Sequence, residues 1–133
     1  MTVASLGQKT VLVIEDDPWT RTITTALLAG EGFAVLEAKN GEEGLQQAYD
    51  HTPDAILLDL ALPTKSGLEV LRELKGDSPA GAIPVIVVSA YGSLMSEGDA
   101  QHTAGVIQKP FDYDDLVGQV TRATAGSFEI ALT

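Results

Sequence analysis

Unbroken apolar runs at residues 11–14, 56–58 and 85–88 restrict the fold of this chain more than any other feature. A strand with one face in water alternates apolar and polar residues, whereas a strand covered on both faces is apolar throughout. Strands of the second kind belong to parallel sheets, whose crossover helices cover both faces. With two weaker runs added, we predict strands at about residues 10–15, 33–38, 54–59, 83–88 and 106–108.

Segments with helical periodicity separate the predicted strands. The first can begin with Asp17 as the helix cap and Pro18 in the first turn. The spacing of Ile23, Ala26 and Leu27 predicts that these three residues form its inward-facing stripe.

The segment at residues 93–105 should supply the fourth helix, but it contains Gly98 and few residues that favour helices. We therefore expect a short or irregular helix there. Five β–α units with right-handed crossovers predict a doubly wound α/β domain with a five-stranded parallel sheet. We assign this domain to residues 10–124, after a flexible leader at residues 1–9.

The remaining residues, 125–133, are predicted to be a C-terminal tail or linker remnant. Gly126 is a plausible helix end. Beyond it, apolar Phe128, Ile130 and Leu132 alternate with other residues. This alternation leaves open a second possibility, an extended segment that adds to a sheet edge or to a partner chain.

The composition argues against several classes of function. A net charge of −11 makes the surface repel nucleic-acid phosphates, so direct nucleic-acid binding is not expected. The absence of cysteine rules out disulfides and thiolate chemistry, and it fits a cytoplasmic protein. The chain start lacks the regions of a signal peptide, and no apolar run could span a bilayer, so no membrane role is expected.

Charged residues follow three of the predicted strands at their C-terminal ends. Glu15, Asp16 and Asp17 follow the first strand, Asp59 ends the third, and Lys109 follows the fifth. Because the C-terminal ends of parallel strands share one edge of a sheet, we expect these side chains to meet in one crevice. Asp17 is better explained as a helix cap. The other acids together predict a Mg²⁺ site, since a bound cation removes the cost of ionising neighbouring carboxylates.

The same crevice suits phosphoryl chemistry. A carboxylate oxygen of Asp59 can attack phosphorus in line and form an acyl phosphate. Lys109 and the metal would neutralise charge on the phosphoryl oxygens. The hydroxyl of Ser89, at the end of the fourth strand, would hold one of those oxygens.

Four motifs resemble those of the receiver domain of two-component response regulators. They are Val-Leu-Val-Ile-Glu-Asp-Asp-Pro at 11–18, Leu-Leu-Asp-Leu-Ala-Leu-Pro-Thr-Lys-Ser-Gly at 57–67, Val-Val-Ser-Ala at 87–90 and Gln-Lys-Pro-Phe at 108–111. The resemblance extends over about residues 9–124. It implies a flavodoxin-like (βα)5 fold with strand order 2-1-3-4-5, and a cis peptide bond before Pro110.

The resemblance also implies a role for each residue of the crevice. Asp59 would be the phosphoacceptor and a metal ligand. Asp16 would bind Mg²⁺ directly, and Glu15 would bind it through water. The other implied contacts are the backbone carbonyl of Ala61 as a metal ligand, Ser89 as the switch hydroxyl and Lys109 as the phosphoryl-binding lysine.

Two further positions are expected to affect how the switch works. Val106 stands three residues before the lysine, where a switch tyrosine or phenylalanine is usual, so the aromatic ring of the standard coupling with the hydroxyl is replaced by a valine. Tyr91 lies two residues after Ser89. We expect its ring to hinder the attacking water and to slow autodephosphorylation.

We predict a phosphorylation-dependent signalling receiver, a switch rather than a turnover enzyme. A sensor histidine kinase or phosphotransfer protein would donate the phosphoryl group to Asp59, with Mg²⁺ as cofactor. The phosphorylated form would regulate a downstream protein target in the cytoplasm, as a monomer or as a phosphorylation-dependent dimer.

Three alternatives compete with this prediction. A degenerate receiver that acts as a phosphorylation-independent interaction module is favoured by Val106 and by the weak fourth helix. A flavodoxin-like cofactor binder would need free amides in its first loop, and the acidic residues 15–17 and Pro18 oppose that. An aspartyl phosphatase would need a second acid at position 61, where this chain has Ala61.

Overall fold

The computed structural model describes residues 8–76, 80–90 and 95–132, with side chains described as far as residue 125. Its strands are β1 (Thr10–Ile14), β2 (Ala34–Ala38), β3 (Ala55–Asp59), β4 (Val85–Ser89) and β5 (Gly105–Gln108). Its α-helices are α1 (Pro18–Gly30), α2 (Gly41–His51), α3 (Gly67–Gly76), α4 (Glu97–Ala100) and α5 (Tyr113–Leu132). A single 3₁₀ turn at Ala80–Ala82 precedes β4.

The five strands form one parallel sheet in the order β2-β1-β3-β4-β5. The predicted doubly wound architecture and strand order are confirmed. In the register of the sheet, Ile14 lies beside Leu58, Asp59 beside Val88, and Ser89 beside Gln108. The C-terminal ends of β1, β3, β4 and β5 therefore lie side by side along one edge, as the sequence predicts.

Each face of the sheet is covered by its own core. Leu12 and Ile14 of β1 point to the face covered by α2 and α3, whereas Val11 and Val13 point to the face covered by α1 and α5. All residues of β1 except its first are buried, as are all residues of β3 and β4. Burying a Val, Leu or Ile side chain contributes about 1.5–3 kcal/mol, so these unbroken apolar runs supply a large part of the stability of the sheet.

The inward face of α1 differs from its prediction. Thr24 and Leu28 are the buried residues of this helix, while Ile23 and Ala26 are exposed and Leu27 is half-buried. A threonine can occupy the buried position because its hydroxyl donates a hydrogen bond to the carbonyl oxygen of Thr20 at 2.8 Å. Its polar group therefore needs no partner from the apolar core.

The fourth helix is short, as predicted. α4 has four residues, and the hydroxyl of Ser96 caps its start by accepting a hydrogen bond from the amide of Asp99 at 3.1 Å. A helix of this length is not stable by itself in water, so its position depends on tertiary contacts.

The end of the chain differs from its prediction. α5 continues past Gly126 to Leu132, whereas we predicted a helix end at Gly126 followed by a tail or linker remnant, or by an extended segment. A glycine inside a helix costs about 1 kcal/mol relative to alanine but does not remove a hydrogen bond, and no proline follows it here. The division into leader, domain and tail stays a prediction, and residues 1–7 of the leader lie outside the described part of the chain.

Candidate functional site

The crevice at the C-terminal edge of the sheet contains the predicted charged residues. Glu15 follows β1, Asp59 ends β3, and Lys109 follows β5. Glu15 and Asp59 are almost completely buried, with 5% and 4% of their surface exposed, whereas Asp16 is exposed. One carboxylate oxygen from each of the three acids lies within 4.8 Å of the other two.

Lys109 joins the two buried acids. Its ammonium group donates hydrogen bonds to Oε1 of Glu15 at 2.9 Å and to Oδ2 of Asp59 at 3.1 Å. Burial alone would lower the pKa of Lys109, but the two carboxylates outweigh burial, and the pKa lies above its usual value. Lys109 is therefore a stable positive charge against the acids at neutral pH.

Glu15 ionises less readily here than an ordinary glutamate does. Burial raises its pKa to about 6, and the neighbouring carboxyl group of Asp59 adds to the rise. Hydrogen bonds from Lys109 and from the amide of Asp17 oppose that rise without cancelling it. Three acids around one lysine leave an excess of negative charge, which a further cation would relieve.

The loop after β3 is built around Asp59. The amide of Ala61 donates a hydrogen bond to Oδ1 of Asp59 at 3.0 Å, so both carboxylate oxygens have protein partners. Gly67 begins α3 directly against this loop, and its amide donates to the carbonyl oxygen of Leu60 at 3.1 Å. A Cβ atom at position 67 would lie 2.4 Å from the carbonyl oxygen of Asp59, so only glycine fits there.

The structure assigns Asp17 to the helix end rather than to the acid cluster. Its Oδ2 accepts hydrogen bonds from the amide of Thr20 at 2.8 Å and from the hydroxyl of the same residue at 2.6 Å. These bonds hold the pKa of Asp17 below its usual value. The prediction that Asp17 caps α1 is confirmed.

Ser89 lies at the end of β4, buried and next to the lysine in the backbone ladder. The amide of Lys109 donates to the carbonyl oxygen of Ser89 at 2.9 Å, and the amide of Leu60 donates to the carbonyl oxygen of Val88 at 3.1 Å. The strand ends that carry Asp59, Ser89 and Lys109 are thus fixed to one another. The Lys109–Pro110 peptide bond is cis, as the resemblance implied.

Of the two further positions singled out in the sequence, the structure describes Val106 but not Tyr91. Val106 lies on the edge strand β5, beside Val87, with 38% of its surface exposed. Its carbonyl oxygen accepts a hydrogen bond from Nε2 of Gln119 on α5 at 3.0 Å. Tyr91 lies outside the described residues, so its shielding role stays a prediction.

Arg21 is a residue of the site that the sequence analysis missed. It lies on α1, and its Nη1 donates to the carbonyl oxygens of Glu15 at 2.8 Å and Asp16 at 3.4 Å. Its position four residues after the helix cap Asp17 is the signal that could have indicated it, since such a residue faces back over the preceding turn.

The donor set fits a hard divalent cation. Three carboxylates with converging oxygens, one of them exposed, are compatible with a divalent cation that keeps part of its water. The ligands available are Glu15, Asp16 and Asp59. The backbone carbonyl of Ala61 stays a predicted fourth ligand.

Comparisons with known proteins agree with this geometry. The family model described as response regulator receiver domain matches residues 11–121. Protein PilH of Pseudomonas aeruginosa is 31% identical over 118 residues, which cover 87% of this chain and 98% of PilH. The response regulator TrrA of Thermotoga maritima, solved in complex with Mg(2+)-BeF, superposes with a TM-score of 0.79 at 30% identity, covering 86% of this chain and 98% of TrrA.

Larger relatives match over one part of their length. The transcriptional regulatory protein ZraR of Escherichia coli is 34% identical over 122 residues, which are 90% of this chain but 27% of ZraR. The chain therefore spans about a quarter of that relative. No helix in the part of the chain that the structure describes is long and apolar enough to cross a membrane.

Proposed function

This chain belongs to the response regulator receiver domain family, and we propose that it accepts a phosphoryl group on Asp59 and thereby regulates a partner protein. Receiver domains are signalling switches of two-component systems rather than turnover enzymes. The proposal goes further than membership of the family, because it names the acceptor, the cofactor and the class of donor.

The surroundings of Asp59 carry the proposal. Its carboxylate is buried between the ammonium group of Lys109 and the amide of Ala61, at the bottom of a crevice with two further acids. The hydrogen bonds fix the direction of both oxygens, so the nucleophile is held in position before the donor arrives. A reactive role explains this buried, oriented carboxylate better than a purely structural role does.

The reaction would be an in-line phosphoryl transfer. A carboxylate oxygen of Asp59 forms the new bond to phosphorus, while the bond from phosphorus to the donor nitrogen of a phosphohistidine breaks. The electron pair of that bond stays on the imidazole that leaves. Lys109 turns from Asp59 toward the new phosphoryl oxygens, and the Ser89 hydroxyl is the proposed donor to one of them.

Mg²⁺ is the proposed cofactor, and it would offset the negative charge of the phosphoryl group. Glu15, Asp16 and Asp59 supply the converging oxygens that support it. The structure of TrrA gives further support, because that relative, 30% identical to this chain, was solved in complex with Mg(2+)-BeF.

A protein is the proposed donor, either a sensor histidine kinase or a phosphotransfer protein. A groove of about 440 Å³ reaches Lys109 and is lined by Thr20, Ile23, Ala90, Lys109, Pro110 and Phe111. Trp19, 74% exposed, stands one turn before Ile23 on α1. Exposed apolar side chains near a groove that reaches Lys109 suit the apolar face of a protein better than a small polar metabolite.

The output would be protein-mediated as well. We propose a downstream protein target, a cytoplasmic location where the kinase has access to ATP, and a monomer or a phosphorylation-dependent dimer. A degenerate receiver that acts without phosphate is the second candidate. Val106 favours this second candidate. A half-exposed valine stands there in place of the aromatic ring whose position would change with that of the Ser89 hydroxyl.

Phosphorylation by acetyl phosphate tests the two candidates. The parent chain is incubated with acetyl phosphate and Mg²⁺ and analysed by intact mass. A gain of one phosphoryl group is expected for the parent and for Asp50→Asn, which changes an exposed aspartate of α2, but not for Asp59→Asn. A parent chain that gains no phosphoryl group would contradict the proposal and leave the degenerate receiver.

A further inference from the structure

We propose that Arg21 is a positioning residue that holds the acidic loop of residues 15–17 in the shape that binds Mg²⁺. This inference rests on the proposed function, since it assumes that Glu15, Asp16 and Asp59 form a metal site. The inference adds a residue that would act through the backbone of the metal ligands and would contact neither the metal nor the phosphoryl group itself.

The contacts of Arg21 are directed at the backbone of the metal-binding acids. Its Nη1 donates to the carbonyl oxygens of Glu15 and Asp16, at 2.8 Å and 3.4 Å. Its own amide donates to the carbonyl oxygen of Asp17 at 2.9 Å. One residue of α1 thus contacts the backbone carbonyls of all three residues of the loop, and the side-chain directions of Glu15 and Asp16 depend on that backbone.

A second contact fixes the guanidinium from the other side. Nε of Arg21 lies 3.3 Å from Oε1 of Glu37, which is on strand β2. Glu37 pairs with Val13 in the sheet, two residues before the acidic loop. Arg21 therefore connects α1, the end of β1 and β2, and its side chain is 18% exposed although it carries a charge.

Electrostatics distinguishes a positioning role of Arg21 from the role of an ordinary surface arginine. A positive charge next to a Mg²⁺ site repels the ion, so removing an ordinary surface arginine at this position would tighten metal binding. Removing a positioning residue has the opposite effect, because the carboxylates lose their shared direction. The sign of the change in Mg²⁺ affinity therefore decides between the two roles. The Glu37 carboxylate offsets the charge of Arg21, which lets an arginine stand here without excluding the metal.

The experiment measures the affinity of the full chain for Mg²⁺ alone, without phosphodonor, from amide chemical shifts in an NMR titration. Arg21→Gln removes both the positive charge and the planar guanidinium group with its several N–H donors. Arg21→Lys keeps the charge but lacks the planar fork that reaches two carbonyls and Glu37 at once. Arg122→Gln is the matched control, because it removes an exposed arginine from α5 and gives the same net charge as Arg21→Gln.

We expect Arg21→Gln to bind Mg²⁺ about tenfold more weakly than the parent, at the lower end of the range for residues that orient metal ligands. Arg21→Lys should also bind more weakly, and Arg122→Gln should bind like the parent or slightly more tightly. Mg²⁺ affinity in Arg21→Gln that equals or exceeds that of Arg122→Gln overturns the inference, even if the variant is less stable to heat.

Two other outcomes are also decisive. If Arg21→Gln does not fold, Arg21→Lys decides alone: unchanged affinity overturns the inference, and weakened affinity with the charge retained supports it. A parent chain that does not bind Mg²⁺ overturns the proposed metal site, and with it this inference. Failure of the inference alone is recognised by a parent that binds Mg²⁺ and an Arg21→Gln variant that binds it at least as well.

Discussion

The guanidinium of Arg72 on α3 holds both carboxylate oxygens of Asp99 on α4. Nε lies 3.1 Å from Oδ1, and Nη2 lies 2.8 Å from Oδ2. The hydroxyl of Ser96 also donates to Asp99, so donors enclose the carboxylate of this third residue of a four-residue helix. Because such a helix has no stability of its own, this ion pair attaches α4 to the rest of the domain.

Acid should therefore release α4 before the rest of the fold. The hydrogen bond from Arg72 lowers the pKa of Asp99 from 3.8 to about 2. The folded state favours the ionised form, so the stabilisation is complete above the unfolded pKa and is lost as the pH falls from about 4 to about 2. The protection of the α4 amides, meaning their hydrogen exchange relative to the intrinsic rate of an unstructured peptide at the same pH, should fall over this range in the parent.

Arg72→Gln is the test variant for this prediction. Its α4 amides should already exchange fast at pH 7, with a weaker dependence on acid than the parent. Arg122→Gln again serves as control for the loss of one arginine. Identical exchange of α4 in the parent and in Arg72→Gln would show that the ion pair does not attach this helix.

Glu15 should make the metal-free protein less stable as the pH rises. Burial raises its pKa from 4.5 to about 6, so the folded state binds a proton that the unfolded state has already released between these values. The contribution of Glu15 is therefore favourable below about pH 4.5 and is lost as the pH rises through about 6, by up to about 2 kcal/mol.

Urea unfolding in the presence of a chelator checks this dependence. The parent should lose unfolding free energy between pH 4.5 and 6.5 relative to Glu15→Gln, in which position 15 does not titrate. Saturating Mg²⁺ should reverse most of the loss at neutral pH, since it stabilises the ionised acids. The prediction is wrong if the parent and Glu15→Gln have parallel stability curves.

The central strands and the acidic crevice could be predicted because their signals are local. The apolar runs at residues 11–14, 56–58 and 85–88 indicate strands buried on both faces, because they are too short for buried helices. The convergence of Glu15, Asp59 and Lys109 then follows from parallel topology alone, because each stands at a strand end. Their individual roles are not tested by geometry and stay predictions.

The features that were missed depend on partners distant in sequence. Either Ile23 or Thr24 could face inward on α1. Which one does so depends on the positions of the groove and the core, and the periodicity of the sequence carries no information about those positions. The spacing of Arg21 from Asp17 indicates its contact with the preceding turn, but its ion pair with Glu37 depends on the register of strand β2, which a single sequence does not reveal. The continuation of α5 past Gly126 reflects a penalty of about 1 kcal/mol that neighbouring helical residues outweigh.

Gly67 should not tolerate a side chain, in contrast to Gly76 at the other end of the same helix. A Cβ atom at position 67 would lie 2.4 Å from the carbonyl oxygen of Asp59 and 2.5 Å from Cα of Leu60, whereas nothing lies within 4 Å of a Cβ atom at position 76. Gly67→Ala should lower the unfolding free energy by about 1–3 kcal/mol, the usual cost of overpacking.

Gly76→Ala is the control, and it should leave stability unchanged or raise it by up to about 1 kcal/mol. Denaturant midpoints of the two variants give the comparison. Because the clash displaces the backbone of Asp59, the proposed phosphoacceptor, Gly67→Ala should also be phosphorylated more slowly by acetyl phosphate. Equal stability of the two alanine variants would contradict the close approach of α3 to Asp59.

Lys109 should oppose Mg²⁺ binding while supporting phosphorylation. Its ammonium group occupies oxygens of Glu15 and Asp59 that the proposed metal would also use. Lys109→Met removes this competing cation, so Mg²⁺ should bind more tightly than to the parent. The phosphoryl group loses its counter-charge in the same variant, so the yield of phosphorylated Asp59 from acetyl phosphate should fall by at least about tenfold.

Lys39→Met provides the matched control, because Lys39 is an exposed lysine at the end of β2 that forms no part of the acid cluster. Its Mg²⁺ affinity and its yield of phosphorylated protein should both stay near those of the parent. The two readouts of Lys109→Met move in opposite directions only if the lysine serves the phosphoryl group rather than the metal. Parallel losses of metal affinity and yield would instead mean that Lys109 maintains the fold of the crevice, and the assigned role would be wrong.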